Sequence, residues 1–294
     1  MDWDKLRIFH AVADAGSFTH AGDVLNLSQS AVSRQISALE EALQVPLFHR
    51  HARGLILTEQ GEQMNRTVRE VFAKLAMTEA LLTESKEKAA GRLKVTTTTG
   101  FGTSWLAPRL PRFLTSHPDI SITLILEDSD LDLGMREADV AIRMHPPRQP
   151  DLVQRHLADI QLPICASPDY LAKHGAPTSA EDLDRHRIIL FGNYHPPVAD
   201  VNWLAGLGRP NGQKRQSVFE VNNLGAMADA IEAGLGIGAL PHYMLVDRPG
   251  LQKVLTDVKA PTIEAYFVYP EELRTSKRVS VFRDFLLAEM PARG

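Results

Sequence analysis

The chain has 294 residues, a formal net charge of −4 and a hydrophobic fraction of 44%. This length fits two or three domains, and the composition excludes a wholly disordered protein. The longest apolar stretches, such as residues 120–126, fall well short of the ~20 residues that cross a bilayer. Residues 2–5 are partly acidic with no apolar segment behind them, so we expect no secretory signal and no membrane association. The single cysteine, Cys165, excludes an intrachain disulfide and favours a cytoplasmic location.

Three stretches of the chain differ in their hydrophobic pattern. Residues 1–57 contain short helical patterns separated by tight turns, and residues 58–90 form one long helical pattern. In residues 91–294, β-branched strands alternate with amphipathic segments, which predicts an α/β domain. Residues 1–90 contain ten Lys and Arg against twelve Asp and Glu. If this part binds a polyanion such as DNA, its positive charge must be concentrated locally.

The first stretch predicts three helices. Gly16 is expected to end helix one, Ser17 to cap helix two, and Ser28 to cap helix three. The positions predicted to face inward are Leu6, Phe9, Val12, Ala13, Phe18, Ala21, Val24, Leu25, Ala31, Val32, Ile36 and Leu39. Helices two and three, joined by a very short turn, match a helix-turn-helix, whose second helix enters the major groove of DNA.

Helix three carries a polar face that we predict to contact DNA. Its small or hydrogen-bonding members and one cation are Ser28, Gln29, Ser30, Ser33, Arg34 and Ser37. Gln pairs with adenine edges, Ser with several groups, and Arg with guanine or phosphate. Polarity alone would favour an ordinary solvated face. The position on the second helix of the pair, with no acid before Glu40, favours the DNA-binding interpretation.

A predicted β-hairpin wing follows in residues 47–57, where apolar ends flank a basic tip that contains glycine. Its candidate DNA contacts are Arg50, His51 and Arg53. His49 and His51 form a His-x-His pair with no Cys or carboxylate close by, so we expect no metal site here or elsewhere.

The long helix in residues 58–90 carries an apolar stripe with heptad spacing, and Thr58 is its expected cap. We predict that the stripe mediates dimerisation through Met64, Val68, Val71, Leu75 and Leu82. A helix of about 30 residues is roughly 45 Å long, which is too long to be buried in one small domain. The alternative is that the stripe packs against its own chain.

The sequence resembles the LysR-type transcriptional regulators over nearly its whole length. The similarity is carried by AVADAGSFTHAGDVLNLSQSAVSRQISALEEAL, LFHRHARGLILTEQG, GRLKV, HPDISITL, READVAIR and GLGIGALP. The opening MDWDKLRIFH and the wing are further similar to the branch called LsrB or VtlR. Gly22 stands where the family usually has Ala, and Ser30 where many members have Pro.

The resemblance implies a fold and a function. It implies a winged helix-turn-helix, a linker helix, and an effector domain like that of periplasmic solute-binding proteins, with a first lobe at about 91–161 and 266–294 and a second at about 162–265. A small-molecule effector would bind between the lobes, lined by Thr98, Thr99, Gly100, Phe101, Asp128, Arg143, Asn222 and Asn223. Each of these residues could instead serve only as a helix cap or turn residue.

The same resemblance implies further partners: promoter DNA, a second copy of the chain in a homodimer or homotetramer, and RNA polymerase. A solute-binding protein and an enzyme are the alternative classes. No nucleophile elbow, Walker loop, Rossmann fingerprint or metal-spaced Cys and His set occurs in the sequence, so we expect no catalysis and no cofactor besides the effector. Cys165, in an apolar strand pattern, is expected to be a small buried hydrophobe.

Overall fold

A computed structural model describes residues 2–51, 54–83, 88–146, 152–192 and 200–290. The chain divides into two compact units, one formed by the N-terminal residues up to Thr83 and the other by most of the chain after it. Within the described residues, no helix has the length and apolar character needed to span a bilayer.

The first unit consists of three helices, a hairpin and a long helix. Its elements are α1 (Trp3–Ala15), α2 (Phe18–Leu25), α3 (Gln29–Leu43), β1 (Phe48–His51), β2 (Gly54–Leu57) and α4 (Glu59–Thr83). The strands β1 and β2 pair antiparallel with Phe48 opposite Leu57, which confirms the predicted hairpin.

The predicted caps of these helices are confirmed. Gly16 ends α1 in the left-handed conformation at φ 61°, and Ser17 and Ser28 accept hydrogen bonds from the backbone of α2 and α3. The Thr58 hydroxyl accepts from the Gly61 amide at 3.0 Å and donates to the Pro46 carbonyl at 2.8 Å. Thr58 therefore ties the start of α4 to the chain that enters the hairpin.

One predicted inward position of α2 is wrong. Val24 is 72% exposed, because at about 100° per residue it lies well away from the face shared by Phe18, Ala21 and Leu25. Gly22 is buried on that face, where a Cβ atom would lie 2.6 Å from the Leu27 carbonyl oxygen. The missing side chain lets the turn between α2 and α3 close against α2.

The second unit begins with a strand and a mixed helical segment. These are β3 (Gly91–Thr97), α5 (Thr99–Phe101), a π-helical turn (Gly102–Leu106), a 3₁₀ turn (Ala107–Arg109) and α6 (Leu110–Ser116). The remaining strands and helices are β4 (Ile120–Leu126), β5 (Val140–Arg143), β6 (Leu152–Gln161), β7 (Ile164–Ala166), α7 (Pro168–His174), β8 (Ile189–Phe191), β9 (Phe219–Val221), α8 (Leu224–Glu232), β10 (Gly238–Ala239), β11 (Gln252–Lys253), β12 (Thr262–Pro270) and α9 (Lys277–Glu289). Short 3₁₀ turns lie at Glu181–Arg185, Trp203–Ala205, Pro210–Gly212, His242–Met244 and Glu271–Leu273.

Three sheets form two lobes in this unit. The first lobe has a five-stranded sheet in the order β4-β3-β5-β12-β6, with β3 parallel to β4 and β5, and β12 antiparallel to β5 and β6. In the second lobe β7 lies between β10 and β11, and β8 pairs with β9. A bridge between Ile188 and Ile237 joins these two groups of strands. The α/β prediction is confirmed.

The chain passes between the lobes twice. It leaves the first sheet at the end of β6 and returns at the start of β12, and the Leu162 amide donates to the Pro261 carbonyl between the two passages. Because β12 begins at Thr262, residues 262–265 belong to the first sheet rather than to the second lobe.

Cys165 lies in the middle strand of the second lobe and is fully buried, as the sequence predicts. Burial raises the pKa of its thiol to about 12, so the reactive thiolate is suppressed at neutral pH.

Candidate DNA-binding surface and effector cleft

The polar face of α3 is open to solvent. Gln29, Ser30, Arg34 and Ser37 are exposed and Ser33 is half-buried, whereas Val32, Ile36 and Leu39 on the opposite face are buried. The Ser28 hydroxyl accepts from the Ala31 amide at 3.2 Å and lies 3.1 Å from the Ser30 hydroxyl. The six predicted contacts therefore lie along one side and at the start of a single helix.

Glu40, which the sequence treats only as the first acid of α3, connects this helix to the wing. One of its carboxylate oxygens accepts from the Leu47 amide at 2.7 Å and from the Phe48 amide at 3.2 Å. Hydrogen bonds to a charged group are worth roughly 1.5–3 kcal/mol, so this contact fixes the start of β1 against the end of α3. The spacing of seven residues gives no sequence signal for it.

The wing is described only in part. His49 is exposed on β1, and Arg50 and His51 belong to the same strand, but their side chains lie outside the described part of the structure. Arg53 lies outside the described residues.

An apolar groove of about 430 Å³ runs along α4 in the first unit. Its lining includes Trp3, Leu6, Leu43, Val45, Met64, Val68, Val71 and Phe72. Val68 is buried in the core of its own chain and Met64 is half-buried there, whereas Val71 is 39% exposed and Leu75 is 49% exposed. The stripe therefore divides into a part packed on its own chain and a part open to solvent. The Leu82 side chain is outside the described set.

The predicted effector residues of the first lobe converge in part. Thr98, Asp128 and Arg143 line a pocket of about 20 Å³ at the carboxyl ends of the strands. That volume holds one water molecule, since a single water needs roughly 10–15 Å³ measured in this way. Asn222 is exposed in the second lobe, and Asn223 caps α8 by accepting from the Ala226 amide at 2.9 Å. Within the described residues neither asparagine reaches this pocket.

Two of the predicted effector residues, Thr99 and Asp128, bond to each other. The Thr99 amide at the end of β3 donates to a carboxylate oxygen of Asp128 at 2.8 Å. Thr99 and Asp128 are thus bonded to each other, and a carboxylate ligand at this amide would have to displace the Asp128 side chain.

Apolar contacts close the two lobes against each other at this point. Phe101 is buried, stacks on Trp105 with centroids 4.8 Å apart, and meets Tyr243 of the second lobe edge-on at 5.3 Å. A Cβ atom on Gly100 would lie 3.0 Å from a methyl carbon of Leu224, so only glycine permits this approach of the lobes without a shift. The sequence did not identify Trp105, Leu224 and Tyr243 as contacts between the lobes. Apolar residues at helical spacing indicate burial, but not the part of the core in which each residue lies.

Comparison with known protein families decides what these two units are. Residues 3–62 match the bacterial regulatory helix-turn-helix proteins of the lysR family, and residues 86–291 match the LysR substrate binding domain. The chain belongs to the LysR family. It is a DNA-binding transcriptional regulator with a substrate-binding effector domain of the periplasmic-binding-protein type, and not an enzyme.

Known relatives extend the similarity over the full regulator. It is 31% identical to the HTH-type transcriptional regulator CrgA of Neisseria meningitidis serogroup C, covering 98% of this chain and 96% of CrgA. It is also 31% identical to YhjC, an uncharacterized regulator of Escherichia coli K12, covering 97% and 96%. The structure of Neisseria meningitidis CrgA matches with a TM-score of 0.62 at 29% identity, covering 98% of this chain and 99% of that one. The full-length Vibrio cholerae virulence activator AphB matches with a TM-score of 0.63 at 28% identity, covering 98% and 99%.

Arg143 of the regulator has structural partners in its pocket. It is only 5% exposed, its Nη2 donates to the Leu131 carbonyl at 2.9 Å, and its Nε lies 3.2 Å from an Asp130 carboxylate oxygen. These contacts hold the loop after β4 against the end of β5.

Replacing Arg143 with Gln should lower the free energy of unfolding by about 1.5–3 kcal/mol without any ligand, because the charged hydrogen bond to the Leu131 carbonyl and the ion pair with Asp130 are lost. Denaturant unfolding of the purified protein measures this. Arg92→Gln is the matched control at an exposed arginine of β3, with an expected change within ~0.5 kcal/mol. Unchanged stability in Arg143→Gln would contradict a structural role and leave the cation available to an effector.

Proposed function

We propose that the regulator reads promoter DNA with the exposed side of α3 and with the wing. The main support is that Gln29, Ser30 and Arg34 are exposed together on the first turns of α3, and that this helix has no acid before Glu40. Glu40 is half-buried, and its hydrogen bonds to the start of β1 tie its carboxylate to the protein backbone. Local positive charge thus faces a polyanion although the chain as a whole is acidic.

The wing is the second proposed part of the DNA-binding surface. Arg50, His51 and Arg53 would contact the phosphate backbone or the minor groove beside the helix. The placement of the wing beside α3 is supported by Glu40, because its hydrogen bonds fix where β1 begins relative to α3.

Self-association through α4 is the second part of the proposal. Val71 and Leu75 are exposed on the same helix as the apolar groove, and an exposed apolar surface of this kind is typical of an interface. A second copy of the chain is the proposed occupant, because two helix-turn-helix units can then read a pseudo-palindromic site. Val71, Leu75 and Leu82 of the heptad stripe keep the spacing that a partner helix requires, whereas Met64 and Val68 already pack on their own chain.

An effector would act by separating the two lobes. The pocket that Thr98, Asp128 and Arg143 line in the first lobe holds about one water, whereas small-molecule sites measure roughly 300–1,000 Å³. Binding therefore requires the Phe101–Tyr243 contact to open, which gives the ligand different affinities for the closed and open forms. Within that opened cleft we propose contacts from Thr98, Thr99, Gly100, Phe101, Asp128, Arg143, Asn222 and Asn223.

The wider setting follows from the family. We propose a homodimer or homotetramer in the cytoplasm, with RNA polymerase as a further partner at the promoter. The domain bounds proposed are 1–57, 58–90 and 91–294. The opening MDWDKLRIFH and the wing sequence support an assignment to the LsrB or VtlR branch.

Replacing Arg34 with Ala should weaken binding to a duplex that the protein has selected from random-sequence DNA. The expected loss is about 1–3 kcal/mol if Arg34 bonds a base, or a reduction of about one in the salt-dependence slope if it contacts phosphate. Fluorescence anisotropy over a range of salt concentrations distinguishes the two. Arg274→Ala, at an exposed arginine of the second unit, is the control and should bind as the wild type does. Equal affinity and slope for Arg34→Ala would refute the assignment of this face.

Replacing Leu75 with Asp should dissociate the oligomer, because a charge would enter the apolar interface that α4 forms with its partner. Light scattering measures the mass as a multiple of 32.6 kDa. The control is Lys74→Asp, which adds an acid one position away from the stripe and should leave the mass unchanged. If Leu75→Asp keeps the wild-type mass, the oligomer is formed by a different surface.

A further inference from the structure

Four polar side chains meet on one face of the two strands that connect the lobes. They are His156 and Asp159 of β6 and Glu264 and Tyr266 of β12. The ligand atoms of His156, Asp159 and Glu264 all lie within 4.8 Å of one another. Neither the proposed DNA surface nor the proposed effector cleft uses this cluster.

A β-bulge creates the cluster. In a regular strand, residues three apart point to opposite faces, so His156 and Asp159 would be separated by the sheet. The register instead moves from Ala265 opposite Ala158 to Tyr266 opposite His156, which leaves Leu157 as an extra residue on β6. Leu157 is buried, and the bulge brings His156 and Asp159 onto the same face.

The pairing also places two carboxylates directly opposite each other. Glu264 stands across from Asp159 in the ladder, and like charges at directly opposed positions destabilise a sheet. Each carboxylate has a neighbouring polar group: a His156 ring nitrogen lies 2.6 Å from Asp159, and the Tyr266 hydroxyl donates to Glu264 at 2.7 Å. The hydrogen bond to Glu264 is the main cause of a raised pKa of the Tyr266 phenol, followed by burial and by the charges of Glu264 and Asp159.

We propose that His156, Asp159 and Glu264 form a binding site for a divalent transition-metal ion such as Zn²⁺. An imidazole nitrogen with two carboxylate oxygens is a donor set that Zn²⁺ accepts, and water would complete the coordination. The imidazole distinguishes this cluster from an ordinary acidic patch. The His156 and Asp159 side chains are 29% and 37% exposed, so they have space to rotate toward an ion.

An ion at this site would connect two neighbouring strands of the first sheet. It would link β6 to β12 near the points where the chain passes between the lobes: Asp159 and Glu264 are each two residues from the end of their strand, and His156 is five residues from the end of β6. The proposal concerns metal binding alone and stands independently of the proposed DNA and effector contacts.

The test is Zn²⁺ titration of the full-length protein after chelator treatment, followed by calorimetry, with visible absorption of bound Co²⁺ reporting the ligand set. The expected result is one ion per chain, with affinity falling roughly tenfold or more in His156→Asn and Glu264→Gln. Glu264 is exposed and His156 is half-buried, and unchanged thermal unfolding without metal confirms that the variants fold. Tyr266→Phe, which keeps all three ligands, should retain binding.

His145→Asn is the matched control, because His145 also pairs with a carboxylate, Asp130 at 3.3 Å, outside this cluster. It should bind Zn²⁺ as the wild type does. Absence of binding in the wild type, or wild-type affinity in His156→Asn and Glu264→Gln, would overturn the proposal. Loss of binding in His49→Asn with retention in His156→Asn would place the metal on the wing and would overturn it equally.

Discussion

Burial of one side of α3 is the constraint on which the DNA-binding unit depends. Val32, Ile36 and Leu39 are almost fully buried against α1 and the hairpin, in a core that contains Phe9 and Phe48. An amphipathic helix held in this way has no freedom to rotate, so its polar side must face solvent. The core thereby determines which side chains of α3 can meet DNA. Glu40 fixes the wing relative to the same helix, because its carboxylate accepts hydrogen bonds from the Leu47 and Phe48 amides.

A different constraint controls the effector domain. Its lobes are held together by the contact of Phe101 with Tyr243 and by the close approach of Gly100 to Leu224. The polar groups Asp128 and Arg143 are bonded within the first lobe. A ligand must exchange these internal contacts for its own. In the proposed mechanism this exchange would separate two arrangements of the lobes with different ligand affinity, which is the thermodynamic requirement for regulation.

Local and periodic features could be predicted from the sequence, and contacts across long separations could not. The caps at Ser17, Ser28 and Thr58 follow from residue type and spacing, and the buried face of α3 follows from its period. The inward prediction for Val24 is wrong because it follows the apolar residue type, whereas the helical period places Val24 away from the face of Phe18, Ala21 and Leu25. The hydrogen bond between Thr99 and Asp128 and the bulge at Leu157 both depend on strand register, which the sequence does not show. For this reason nothing in the sequence indicated that Thr99 and Asp128 bond to each other, or that His156 and Asp159 lie on one face of the sheet.

The most direct test of the DNA-binding face uses thiol reactivity, since the natural Cys165 is buried with a pKa of about 12 and stays unmodified. Ser30→Cys places a thiol on the exposed side of α3, and Asp14→Cys places one on the exposed side of α1. Modification rates are measured with and without saturating selected duplex. Strong protection at position 30 and none at position 14 is the predicted result. Equal rates at position 30 in free and DNA-bound protein would contradict the account.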